Sequence, residues 1–403
     1  MPKPPPGALA AAVAGVAVLA ACIAWLALGL GADEEPGRAG RSGPTDLRER
    51  ASAPPAGDRA GNAGAGRAVA ALVRELALER KVAQLFLLGF RGRDATAPIF
   101  GRLRAHDLGG IVVDGHNYSD RDQLAALAGE AGVVAAAAGH LRPLVLAPQE
   151  GGAFNAFPDL PPRTTAAELG SIAQARDEAS RAARERGALG IDGVLAPVAD
   201  VSTPASLAVG PRAYSDLPGE VARYVRAVVG AYREQGLLAA AGRFPGLGSG
   251  SEDTRVAVAQ VAADLDELRA RDLVPFRAAI AAGVPAVVIS NGLHVTDDFV
   301  VPGTMSRAIA TDLLRGELRF GGIAITDDLA DPGVTALSST PAAAVEAVAA
   351  GADLLYVSGP EREQDAAYEA VLAAVRDGGL PLARVDEALT RVLAVKRGYG
   401  LLR

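Results

Sequence analysis

Gly322-Ile323-Ala324-Ile325-Thr326-Asp327-Asp328-Leu329 runs a glycine and small or branched residues straight into two adjacent carboxylates. Ile-Ala-Ile-Thr is too short for a helix and has the continuous apolar character of a parallel strand covered on both faces. The aspartates cannot follow the strand into the core, so they must surface at its C-terminal end. A helix N-cap or a solvated turn accounts for them equally well at this point. If the sheet is a (β/α) barrel, however, that end is where active sites lie.

Working outward, seven other short apolar runs share the pattern. They are Leu85-Phe86-Leu87-Leu88, Gly110-Ile111-Val112-Val113, Leu144-Val145-Leu146-Ala147, Gly193-Val194-Leu195-Ala196, Leu238-Ala239-Ala240-Ala241, Ala286-Val287-Val288-Ile289 and Leu354-Leu355-Tyr356-Val357. Alanine-rich stretches long enough for a helix lie between them, at 123–138, 175–187, 220–235, 264–282 and 340–350. Such alternation predicts an α/β fold, a (β/α)8 TIM-type barrel, with a doubly wound sheet as the competitor. The last helical stretch, 363–396, leaves no residues for a second domain.

Composition narrows the function. The 403 residues are 50% hydrophobic and 22% charged, enough to bury a large core. A net charge of −7 offers no basic footprint for nucleic acid. Cys22 is the sole cysteine, and His106, His116, His140 and His294 are scattered, so neither a disulfide framework nor a metal or other cofactor is expected.

The N-terminus differs from the rest. Residues 7–32 carry no charge, long enough for a helix rising about 1.5 Å per residue to cross a core of roughly 30 Å. Lys3 precedes this segment and Asp33-Glu34-Glu35 follow it, which puts everything after Ala32 outside the cytoplasm. Leu19-Ala20-Ala21-Cys22 is also similar to a lipobox, making Cys22 a lipidation candidate, although Ile23 to Ala32 stays apolar. Either anchor places the barrel at the cell membrane on its extracytoplasmic side. Residues 33–66, rich in Gly, Pro, Ala and Arg, read as a disordered linker, and the barrel is expected over 67–403 as a monomer.

At the predicted strand ends the polar loops are Pro148-Gln149-Glu150-Gly151-Gly152, Pro197-Val198-Ala199-Asp200-Val201, Gly242-Arg243-Phe244-Pro245-Gly246 and Asp327-Asp328-Leu329. Taken in order with Lys81-Val82-Ala83-Gln84-Leu85-Phe86, Leu160-Pro161-Pro162, Gly190-Ile191-Asp192, Arg212 and Asp272-Leu273-Val274-Pro275-Phe276, they resemble glycoside hydrolase family 3. Within it, the chain is similar to the single-barrel β-N-acetylglucosaminidases of bacterial cell-wall turnover, over about 69–402. The resemblance implies retaining hydrolysis of β-linked N-acetylglucosamine with Asp327 as nucleophile, and a cell-wall glycan or muropeptide as ligand. It further implies a proton-donating histidine on the loop after the fifth strand, held by an aspartate.

That loop departs from the family pattern. It reads Gly248-Ser249-Gly250-Ser251-Glu252-Asp253-Thr254-Arg255, with Arg255 where the histidine belongs, and arginine does not give up its proton. The Lys-His pair before Phe-Pro-Gly has become Gly242-Arg243, Leu247 replaces a further histidine, and Pro148 and Ala153 replace polar residues of the third loop. Glu150 and Arg212 remain as sugar-binding residues. If the chain hydrolyses glycans, Glu252 is the expected acid and Asp253 the second choice, while Arg243 and Arg255 would favour an anionic ligand. The competing readings are a catalytically silent barrel that binds an envelope glycan or protein partner, and an unrelated barrel using Asp327 and Asp328 with a divalent metal.

Overall fold

The structure, a computed structural model, describes residues 56–295 and 300–402. The expected anchor, Cys22 and residues 33–55 of the linker lie outside the described residues. No helix among the described residues is long and apolar enough to cross a membrane.

Every apolar run identified above is a strand. In chain order they are β1 (Phe86–Gly89), β2 (Gly110–Val112), β3 (Leu144–Ala147), β4 (Gly193–Val194), β5 (Leu238–Phe244), β6 (Ala286–Ile289), β7 (Ile323–Thr326) and β8 (Leu355–Val357). Each pairs in parallel with its neighbour in sequence, and β8 pairs with β1. The remaining seam is closed by Thr326 N–H donating to Leu354 O at 2.9 Å, with Leu354 N–H donating to Ala324 O at 3.1 Å. The sheet is therefore a (β/α)8 barrel, as the alternation predicted.

The period of two along each strand divides the core. Leu87, Val112, Leu144, Leu146, Leu238, Ala240, Ala286, Val288, Ile323 and Ile325 form one buried cluster inside the ring. The alternate residues Phe86, Leu88, Ile111 and Val145 pack outward against helices, as do Ala239, Val287, Ile289 and Ala324 on the other half. Gly110 and Gly193 are required within this wall, because a Cβ on Gly110 would sit 2.7 Å from Leu144 O and one on Gly193 2.7 Å from Leu238 O.

The crossover helices start where the chain offers a cap. Asp120 accepts from Gln123 N at 2.9 Å to open Arg121–Ala137, and Ser171 accepts from Gln174 N at 3.1 Å to open Ile172–Ala188. The expected helix over 264–282 widens into a π turn at Leu268–Asp272 before Leu273–Ala281. Pro275 lies in its first turn and has no N–H to continue the ladder.

One boundary differs from expectation. The helix Ala56–Glu75 begins inside the stretch assigned to the linker. Val69 and Val73 of its C-terminal half, with Leu76 just beyond it, are buried in the core, and a helix already nucleated by that anchored half costs less to extend than to start. At the opposite end of the chain, Val392 of the helix Leu382–Gly398 joins the cluster inside the barrel, with Val395, Tyr399 and Leu401 packed on it. Its Lys396 is fully buried and donates to Gln84 Oε1 at 2.8 Å.

Candidate active site

The loops at the C-terminal ends of the strands enclose a cleft of about 500 Å³. Asp327 lies on its floor, one residue beyond β7, with its N–H donated to Ile289 O at 2.8 Å. That bond extends the β6–β7 ladder by one step and fixes where the carboxylate emerges. Asp328 is buried and turned into the loop, where Oδ1 accepts from Ala330 N at 2.9 Å and Ser358 N at 3.0 Å. The two adjacent carboxylates thus have different work: both border the cleft, but Asp328 is taken up in organising the turn.

The third loop delivers Glu150. Gly151 and Gly152 adopt φ of 126° and 54°, a left-handed pair closed to other residues at low cost. Gln149 is buried and exchanges bonds with Phe157, accepting from its N–H at 3.1 Å and donating to its carbonyl at 3.1 Å. This pins the loop on both sides of Glu150. Arg212, on a short helical turn after β4, meets Glu150 with Nε–Oε2 at 2.6 Å and Nη2–Oε1 at 2.9 Å. Such fork-to-fork pairing is the strong form of the ion pair. Burial works to raise the Glu150 carboxyl, but the charge and hydrogen bonds of Arg212 outweigh it and hold it below the ordinary glutamate value.

Arg243 enters from β5. Its Nη1 lies 3.6 Å from Glu150 Oε1 and its Nη2 3.4 Å from Asp200 Oδ2, while Asp200 also accepts from the backbone N–H groups of Arg243 and Leu247. Asp200 thereby ties the fourth and fifth loops together. In the fifth loop Asp253 accepts from Arg255 Nη2 at 2.5 Å and faces Arg212 Nη1 at 3.5 Å. Burial pushes its carboxyl up, and the bonds and charges of Arg255 and Arg212 more than reverse that.

The structure brings most of the predicted site residues together and separates one. Asp327, Glu150, Arg212, Arg243 and Arg255 line the same cleft, and Asp253 adjoins it through its two arginines. Glu252 does not line it. Asp253 is drawn towards the cleft's arginines, paired with both Arg255 and Arg212. Asp253 itself is held ionised, the wrong form for an acid. Arg243 and Arg255 are each matched by carboxylates, so the positive rim expected for an anionic ligand is largely neutralised within the protein.

Among the cleft residues missed from sequence are Asp114, His116 and Asp331. Asp331 precedes Pro332 at the start of the short helix Pro332–Thr335, a position that reads as an ordinary N-cap. Its side chain makes no cap bond; instead it faces the cleft. A third carboxyl four residues after Asp327 was the available signal. Burial at the floor raises the Asp327 carboxyl, opposed by Arg243, Arg212 and Arg255.

Known proteins share this barrel. Residues 77–395 match the Glycosyl hydrolase family 3 N terminal domain. A beta-hexosaminidase of Stenotrophomonas maltophilia is 35% identical over 298 residues, covering 70% of this chain and 86% of that protein. A beta-hexosaminidase of Xanthomonas campestris pv. campestris is 37% identical over 294 residues, 69% of this chain and 85% of that one. Among solved structures, a glycoside hydrolase family 3 beta-N-acetylglucosaminidase from Paenibacillus sp. superposes with a TM-score of 0.77 at 32% identity, over 81% of this chain and 63% of that one. Beta-N-acetylhexosaminidase from Beutenbergia cavernae gives 0.72 at 31% identity, over 80% and 99%. With its barrel and its matched length in agreement, the chain belongs to glycoside hydrolase family 3 and is a β-hexosaminidase-like hydrolase within it.

Proposed function

We propose that this protein cleaves β-linked N-acetylglucosamine-type glycans of the cell wall by a retaining mechanism, with Asp327 as nucleophile. The observation that carries this reading is a carboxylate at the strand end on the cleft floor that no side chain engages among the described residues. Asp328 is consumed by backbone N–H groups and Glu150 by Arg212, whereas Asp327 accepts only from the N–H of Asp328 at 3.1 Å. A carboxylate recessed beneath a bound sugar attacks the anomeric carbon, and the positive charge of Arg243, Arg212 and Arg255 favours its ionised form against burial. The Glu150–Arg212 pair, largely buried but lining the cleft, supplies both acceptor and donor to sugar hydroxyls. The names of the relatives agree with a hexosaminide as substrate. We further propose that the uncharged segment 7–32 holds the barrel outside the cytoplasmic membrane.

The test is mechanism-based labelling of the full-length chain with an activated fluoro-N-acetylglucosaminide, followed by peptide mapping. An adduct on Asp327 is the expected result; an adduct elsewhere refutes the assignment. One observation favours a second reading, a silent glycan-binding barrel: Arg255, which has no proton to donate, lines the cleft from the fifth loop. Tight binding of wall fragments with no adduct and no hydrolysis would establish that reading instead.

A further inference from the structure

The family-type histidine donor is absent, and a retaining hydrolase needs an acid for natural leaving groups. The groups around the cleft leave few replacements. Glu150 is doubly bonded to Arg212, and Asp253 is clamped between Arg255 and Arg212. His116 has its Nε2 engaged with Phe90 O at 2.6 Å, and its Nδ1 lies 4.0 Å from Asp114. Asp114 sits at the rim with 45% of its side chain exposed and accepts from Gly115 N at 2.6 Å. Asp328 is spent on the turn.

We propose that Asp331 is the proton donor of this site, an inference that rests on Asp327 being the nucleophile. The chain delivers it there. Asp331 N–H donates to Asp328 O at 3.1 Å, a tight turn that folds the chain back beside the strand end from which Asp327 emerges. Gly333 N–H then donates to Thr254 O at 2.8 Å, fastening this turn to the fifth loop that carries the family's donor. A Cβ on Gly333 would lie 3.0 Å from Thr254 O, so the approach depends on the glycine. The Asp331 carboxyl caps no helix, and its Oδ2 is buried with no hydrogen-bond partner among the described residues. A carboxylate anion so placed would be costly, whereas a neutral acid is tolerated.

The surrounding charges agree. Asp331 is faced by Asp327 and Asp328 on its own loop, by Arg255 and Asp253 from the fifth loop, and by Tyr356 from β8. Burial, then the charges of Asp327 and Asp328, push its carboxyl up to about 9, against the pull of Arg255. Burial raises both carboxyls, but Arg243, Arg212 and Arg255 all pull against it at Asp327 and only Arg255 does so at Asp331, so of the two Asp331 is the one favoured to hold the proton.

The chemistry balances. In the first step Asp327 forms a bond to the anomeric carbon, the glycosidic C–O bond breaks, and the Asp331 proton passes to the departing oxygen. In the second, the Asp331 carboxylate takes a proton from water, the water oxygen bonds to the anomeric carbon, and the ester to Asp327 breaks. Both residues return to their initial state.

The experiment compares wild type, Asp331→Asn and Asp331→Glu, as full-length chains, on N-acetylglucosaminides of graded leaving-group acidity, with and without azide. Asp331→Asn should lose about 10²–10⁴-fold in turnover of poor leaving groups while still forming the Asp327 adduct with activated ones. Azide should restore its turnover as glycosyl azide, Asp331→Glu should recover part of the activity, and the alkaline limb of kcat/KM should vanish in Asp331→Asn. A uniform loss irrespective of leaving group, with no azide rescue and an unchanged alkaline limb, overturns the assignment of Asp331 alone. A wild type that neither labels at Asp327 nor hydrolyses any of the series overturns the hydrolase reading and this proposal with it.

Discussion

Replacing Glu150 by alanine strips Arg212 of both short hydrogen bonds and leaves it facing only Asp253 at 3.5 Å. The two side chains are 12% and 5% exposed, so solvent compensates little for the lost partner. Removing one member of such a pair costs about 3–5 kcal/mol, mostly because the other charge stays buried. Unfolding entropy of ~2.1 cal/mol/K per residue amounts to roughly 0.7 kcal/mol/K for a barrel of this size, so Tm should fall by about 4–7 °C. The sign of the pH dependence follows from the depressed Glu150 carboxyl. Its contribution is fully present above the unfolded glutamate pKa and is lost as pH falls through the lower folded value, so wild type and variant should converge in acid. Calorimetry across pH 3–8, with Arg212→Met and the double variant completing a cycle, makes the measurement. A Tm change under about 1 °C at neutral pH, or additive losses in the double variant, would refute the reasoning.

Lys396 offers a test at the other end of the barrel: burial pushes its ammonium down to about 7. The cost of neutralising or desolvating it is felt below that value and disappears above the unfolded pKa, so Lys396→Met should raise Tm by several degrees at pH 6 and progressively less towards pH 10. Asp331→Asn should also stabilise, in the opposite sense of pH. The raised carboxyl costs nothing below the unfolded aspartate value and its full penalty above about 9, so the Tm gain over wild type should be near zero at pH 3.5 and grow through pH 9; a gain independent of pH would contradict the placement of Asp331. For attachment, fractionation should find the full-length protein with membranes. Cys22→Ala should release it only if that cysteine is acylated, and a soluble wild type would remove the anchor from the proposal.

The barrel was legible from residues alone because its strands announce themselves. Ile323-Ala324-Ile325 and its seven counterparts are short, apolar on both parities and separated by helix-length alternation, and each became a strand in the expected order. Burial on two faces leaves a signal in every residue of a strand, and local chain order suffices to pair neighbours. Asp327 and Glu150 were legible for a related reason, since each stands just beyond a strand end that fixes its height above the barrel, whereas Arg212 and Arg243 were read from the family resemblance. The fifth loop was not legible. That Asp253 rather than Glu252 is tied to the cleft depends on Arg212 and Arg255, which come from different loops and both pair with Asp253. Nor did the sequence distinguish Asp331 from an ordinary helix cap, because an N-cap and a cleft carboxyl occupy the same position before a proline. The turn from Asp328 and the clasp between Gly333 and Thr254 decide which way it points. Strand identity is written in local burial, whereas the protonation and direction of a loop carboxyl are set by charges that only the closed barrel brings within reach of one another.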